Sequence, residues 1–193
     1  ADYGDAAIAG MGVVIRLVSM GSLTIFGFIK GFQPIAGYSY GAKKFNRLHE
    51  AIKTSIIWST IFCVVYGLIL ALFSTSIVSQ FASGNLEMMK VGASSLRVNG
   101  ISLMLFGFYT VYSSLFLALG KGKEGFILGA CRQGICFVPV ILVLPMIWGL
   151  NGILYAQPVA DVLSAIITVF MAIHLHRELN EAEKQAAIAG TNE

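Results

Sequence analysis

Gln157, Asp161, Ser164 and Thr168 recur at intervals of four, three and four. On a helix that spacing sets all four on one face. Asn99, Ser102, Tyr109 and Ser113 form a second such row, and Ser55, Ser59 and Tyr66 a third. An amide, a carboxylate and hydroxyls on one face bind polar groups, and they do so in one of two settings. They either bond across packed membrane helices or line a watery cavity that a solute crosses. Polar faces on several helices fit the cavity better than a dry bundle.

Catalysis has no comparable row. There is no HExxH, no GxSxG and no Gly-rich phosphate loop. His49, His174 and His176 fall at or beyond helix ends, where a solvated histidine is the plainest reading. Cys63, Cys131 and Cys136 lie in apolar runs without CxxC spacing, so neither a disulfide framework nor a metal site is expected. No enzyme and no cofactor is expected.

The elements that carry these rows are membrane spans. Of 193 residues, 56% are hydrophobic and 12% charged, and mean hydropathy is +0.78. A soluble domain has about 25% charged residues. Residues 54–86, 98–120 and 133–160 hold no Asp, Glu, Lys or Arg. About 20 apolar residues cross the hydrocarbon of a bilayer. Barrel strands would alternate polar and apolar residues, and residues 60–73 do not. The expected fold is therefore all-α, a polytopic up-down bundle of about five transmembrane helices. They are helix A (about 6–37), B (51–80), C (91–119), D (124–149) and E (152–177). Residues 1–177 form the bundle and 178–193 a polar, frayed cytoplasmic tail. The abrupt start at Ala1-Asp2-Tyr3-Gly4-Asp5 suggests a cut in something larger.

Short links make neighbours antiparallel. The A–B link region holds Lys43, Lys44, Arg47 and Lys53, the C–D link Lys121 and Lys123, and the tail Arg177 and Lys184. The opposite side holds Lys90 and Arg97. Lys and Arg concentrate in cytoplasmic loops, which sets the C-terminus inside and residue 1 outside. The net charge of +3 is an orientation signal, not a nucleic-acid footprint.

The charges expected to be buried within the spans are few: Arg16, Arg132 and Asp161. At about 1.5 Å per residue, Arg16 and Asp161 both lie about 15 Å from the outer face, while Arg132 lies nearer the inner one. A buried charge seeks a partner or water, so Asp161 is expected to face Arg16. Pro139 and Pro145 are expected to kink helix D. Gly27/Gly31, Gly37/Gly41 and Gly125/Gly129 have the GxxxG spacing that lets helices approach.

Two segments resemble a known family. Gly31-Phe32-Gln33-Pro34-Ile35-Ala36-Gly37-Tyr38-Ser39-Tyr40-Gly41-Ala42-Lys43-Lys44, with Arg47, resembles the inner end of the eighth helix of MATE (multidrug and toxic compound extrusion) transporters. Arg132-Gln133-Gly134, Pro139, Pro145, Gly149-Leu150-Asn151-Gly152 and Ala156-Gln157-Pro158-Val159-Ala160-Asp161 resemble the eleventh and twelfth, and Leu119-Gly120-Lys121 fits the link before them. The likeness runs over nearly the whole chain. It implies the last five of twelve helices, without the N-terminal lobe and the seventh helix.

Its partners would be that lobe and helix, the lipid bilayer, small organic cations and H+ or Na+, with no nucleic acid. The setting would be a bacterial plasma (inner) membrane. The resemblance implies cation-coupled antiport of organic cations. Gln33, Tyr38, Asn99, Ser102, Tyr109, Ser113, Gln157, Asp161 and Ser164 are the candidate lining of the substrate cavity. Some branches of the family bind sodium through an acid on the tenth helix. Helix C has no acid between Val98 and Gly120, so that site is absent or rebuilt, and coupling through the first lobe is expected. The alternatives are a lipid-linked saccharide flippase of the same superfamily, whose cavity would be strongly cationic, and a non-transport membrane subunit.

Overall fold

Without water in the hydrocarbon, a chain this apolar must satisfy every backbone N–H and C=O internally, and the helix does that within one segment. The computed structural model describes residues 5–81 and 86–190, of which 5–7, 87, 132–133, 148, 150–151, 153–154, 187 and 189–190 are described by backbone only. These residues form α1 (Asp5–Gly41), α2 (Phe45–Leu72), α3 (Ser74–Ser79), α4 (Leu86–Ala118), α5 (Gly122–Ala130), a π-helical turn (Cys131–Ile135), α6 (Phe137–Trp148) and α7 (Leu150–Gly190). The turn expected at Ala82-Ser83-Gly84-Asn85 lies outside the described residues.

Among the described residues, four helices are long and apolar enough to cross a membrane: Ile8–Gly41, Phe45–Leu72, Met88–Ala118 and Tyr155–Ala186. They correspond to helices A, B, C and E. The fifth crossing, helix D, is broken into α5, the π turn and α6. Cys136 N–H reaches back five residues to the Cys131 carbonyl, at 2.8 Å. Pro139 follows in the first turn of α6, where a missing N–H costs little, and Pro145 stands inside α6. Helix B is also divided, at Phe73, whose φ of −97° and ψ of 14° end α2. The serine- and threonine-rich segment that follows offers the backbone rival hydrogen bonds. α7 runs without interruption to Gly190, so the polar tail extends the last helix. Leu179, within that extension, is buried.

α4 is the central helix. α2, α1, α7, α5 and α3 all pack against it. That position explains why a hydrophobic helix also buries Ser95, Ser102, Thr110 and Ser114. Its closest partner is α2, and small residues make the approach possible. A Cβ on Gly67 would run into the Gly100 carbonyl oxygen, and one on Gly107 would come within 2.7 Å of the Ser59 carbonyl oxygen. Two apolar clusters fill the bundle. One, including Leu48, Ile52, Leu115 and Leu175, lies toward the A–B link; the other, including Ile25, Leu70, Leu96 and Phe106, lies toward the opposite end. Large apolar side chains such as Leu72, Phe126, Met146 and Phe170 point outward, as lipid-facing residues do.

Candidate functional site

Several hydroxyls of these helices turn back on their own helix. Ser59 donates to the Ser55 carbonyl, Thr110 to Phe106 and Thr168 to Ser164, each a four-residue step back. Asn99 likewise donates its amide to the Ser95 carbonyl at 2.9 Å. Such bonds satisfy a polar group locally and leave little to offer a solute.

Tyr66 on α2 instead donates across to the Leu17 carbonyl of α1, at 2.8 Å. The other row hydroxyls that bond beyond their own helix, Ser102 and Ser113, lie in two places. The first is the α4–α7 contact. Asp161 is 1% exposed. One carboxylate oxygen accepts the Ser102 hydroxyl from α4, and the other accepts the Gln157 amide at 3.1 Å from one turn away on α7. Ser164, one turn further, is also buried, and its hydroxyl has no hydrogen-bond partner among the described residues. Burying a carboxylate is tolerable only when its oxygens are well bonded. Here Ser102, Gln157 and Asp161 tie the last helix to the central one.

The second place is a cavity of about 280 Å³ between α1, α4 and α5. Gln33, Tyr109 and Ser113 line it, with Lys30, Thr110 and Phe26. Ser113 also donates across to the Gly125 carbonyl on α5, at 3.1 Å, which holds that wall of the cavity. Tyr109 stands edge-on to Phe106, with ring centres 5.4 Å apart. One aromatic wall, one amide and several hydroxyls make a surface suited to an amphipathic solute.

The single lining expected from the sequence is thus divided. Ser102, Gln157, Asp161 and Ser164 belong to the α4–α7 seat; Gln33, Tyr109 and Ser113 belong to the α1–α4–α5 cavity. Asn99 bonds within α4. Tyr38 is 63% exposed and lines none of the cavities described here. Arg16 lies on an exposed face of α1, and no hydrogen bond or ion pair joins it to Asp161. The physical reason is that equal depth does not make two helices neighbours. α7 packs on α4 and α6, while α1 packs on α4 and α2. The side chain of Arg132 lies outside the described residues.

Two features escaped the sequence reading. Lys30 carries a charge into the cavity, and its spacing of three from Gln33 and four from Phe26 was the available signal. At the other extreme, His49 and His176 are not solvated singly. Their rings stack with centres 6.2 Å apart, His176 meets the Tyr112 hydroxyl at 3.0 Å, and His49 lies 3.6 Å from Glu183. Lys121 pairs with Glu178 beside them. The A–B link, the C–D link and the end of α7 therefore share one end of the bundle.

A polar cavity and a buried polar seat inside a lipid-facing bundle suit a protein that moves solutes through a membrane. The MatE family model matches residues 1–143. The chain belongs to the MatE family. This MATE chain is similar to the multidrug export protein MepA of Staphylococcus haemolyticus, with 28% identity over 93% of the chain and 39% of the relative. It is similar to MepA of Staphylococcus aureus (strain MSSA476), with 27% identity over 98% of the chain and 41% of the relative. Among solved structures, the MATE multidrug transporter DinF-BH matches with a TM-score of 0.78 and 35% identity, over 85% of the chain and 36% of that protein. An outward-facing MATE transporter of the MOP superfamily shares the fold, with a TM-score of 0.82 at 19% identity over 92% of the chain and 40% of that protein. The chain spans about two fifths of the length of the MepA relatives it matches. It is a partial MATE lobe and a multi-pass membrane protein.

Proposed function

We propose that the protein exports amphipathic organic cations as a multidrug efflux transporter, by antiport against H+ or Na+. This chain supplies the C-terminal part, and a first lobe and a seventh helix complete it. The observation that carries the reading is the α1–α4–α5 cavity, in which Gln33, Tyr109 and Ser113 give an aromatic and hydrogen-bonding wall inside a membrane bundle. The MepA relatives are named for multidrug export, which supports the same assignment. Coupling falls to the first lobe, while the Asp161 seat holds α7 on α4. The flippase alternative needs several cations around a pyrophosphate; Lys30 is the one cation among the described lining of this cavity. The C-terminus lies in the cytoplasm of a bacterial cell, on the side of the basic links.

Efflux of an ethidium-type dye from cells expressing the full-length protein tests the reading. Dye export that collapses with the ion gradient is expected. Failure to export any member of a broad cation panel, despite good membrane expression, would overturn it.

A further inference from the structure

α1 and α4 stop with the same backbone turn. After α1, Lys43 N–H bonds to the Tyr40 carbonyl at 3.0 Å and Lys44 N–H to Ser39 at 2.9 Å; after α4, Gly120 N–H bonds to Leu117 at 3.1 Å and Lys121 N–H to Phe116 at 2.9 Å. Each turn needs one residue of positive φ, which is 78° at Gly120 and 54° at Lys43. Glycine adopts that conformation freely, whereas a side chain with a Cβ is strained there. A lysine in the glycine position of a helix stop asks what its charge does.

Lys43 stands with Lys44 and Arg47 around an open bowl of about 530 Å³. Among the described residues none of the three forms an ion pair. Glu183 also borders the bowl but lies against His49. Arg47 in turn closes one end of a second cavity, about 470 Å³, that lies between α1 and α2. Phe28, Phe32 and Ile35 wall this groove, Gly31 leaves open space within it, and Glu50 sits beside Arg47 at its charged end.

We propose that this double cavity holds an anionic phospholipid, with its phosphate on Lys43, Lys44 and Arg47 and one acyl chain laid along the α1–α2 groove. Arg47, shared by both cavities, singles out that ligand. A free phosphate leaves the apolar groove unfilled, and a zwitterionic lipid brings its own cation against three others. Basic pockets between transmembrane helices on the cytoplasmic side recognise anionic headgroups in this way. The assignment to the inner leaflet rests on the orientation proposed above; the binding itself does not.

Native mass spectrometry of the full-length protein, purified in mild detergent, tests it with three separate probes: phosphatidylglycerol, phosphatidylcholine and glycerol phosphate. Phosphatidylglycerol should be held about tenfold more tightly than phosphatidylcholine, about 1.4 kcal/mol, which is the order of what one to two basic residues contribute toward an anionic lipid. Glycerol phosphate should not be retained. K43G keeps the turn and removes the strain, so its Tm should equal or exceed that of the parent while K43G/R47Q loses most of the preference for phosphatidylglycerol. Gly31→Leu fills the groove without touching a charge and should weaken phosphatidylglycerol binding severalfold. Equal binding of the two lipids or unchanged binding by K43G/R47Q would each overturn the proposal. Dye efflux is measured separately, so failure of the transport reading leaves these outcomes distinct.

Discussion

Ser102 on α4 donates its hydroxyl hydrogen to the carboxylate of Asp161 on α7, 59 positions along the chain. The bond crosses between the central helix and the last one where both residues are buried. Removing the donor takes away one hydrogen bond to a buried carboxylate, and a bond to a charged group contributes about 1.5–3 kcal/mol. Ser102→Ala should therefore lower the Tm in detergent by several degrees, whereas Asp161→Asn, whose amide oxygen still accepts from Ser102, should cost less. Unchanged melting of Ser102→Ala would show that the bond holds nothing together.

Close helix approach gives a paired prediction. Gly67 faces the Gly100 carbonyl, so Gly67→Val must push α2 off α4, and overpacking of this kind costs about 1–3 kcal/mol or more. Gly27 meets nothing within 4 Å, so Gly27→Ala should be neutral or stabilise by a few tenths to about 1 kcal/mol through helix propensity. Thermal unfolding of both variants checks the contrast. Equal effects would mean that the α2–α4 crossing is not set by these glycines.

Those two glycines also show what the sequence could and could not reveal. GxxxG spacing marked Gly27 and Gly31, but spacing describes one helix only; a close crossing needs small residues on both, and Gly67 and Gly100 meet without that motif. The helices themselves were legible because apolar runs and their breaks depend on local composition. So was the common face of Gln157 and Asp161, which depends only on helical period. The partner of Asp161 was not, because the depth that matched it to Arg16 carries no information on which helices touch. The π turn at Cys131–Ile135 was invisible for a related reason. It is one hydrogen bond reaching back five residues instead of four, and no residue type demands it.

Lys30 should tune substrate charge. A monovalent dye held about 7 Å from its ammonium in a watery cavity meets a repulsion of about 0.6 kcal/mol, roughly threefold in affinity. Lys30→Met should lower the KM for cationic dyes by about that factor and leave kcat for a neutral substrate unchanged. Vesicle transport assays across dyes of different charge measure it. An equal change for neutral and cationic substrates would assign Lys30 a packing role.

The final prediction concerns orientation. Lys43, Lys44 and Arg47 border a cavity with Glu183 of α7, and Lys121 pairs with Glu178 on the same helix. The A–B link, the C–D link and the end of α7 thus occupy one end of the bundle, so one labelling result fixes all three. Eight basic residues belong to that side against Lys90 and Arg97 on the other, and a Lys/Arg excess stays in the cytoplasm. Single cysteines at Lys44, Lys123 and Lys184 in intact cells should resist a membrane-impermeant maleimide and react once the membrane is permeabilised. A cysteine at Lys90 should react from outside. Labelling of Lys44 and Lys123 from outside would invert the topology and move the proposed lipid site to the outer leaflet. A split result, with one link labelled and the other protected, would contradict the shared end itself. It would unseat the packing of α7 along both links.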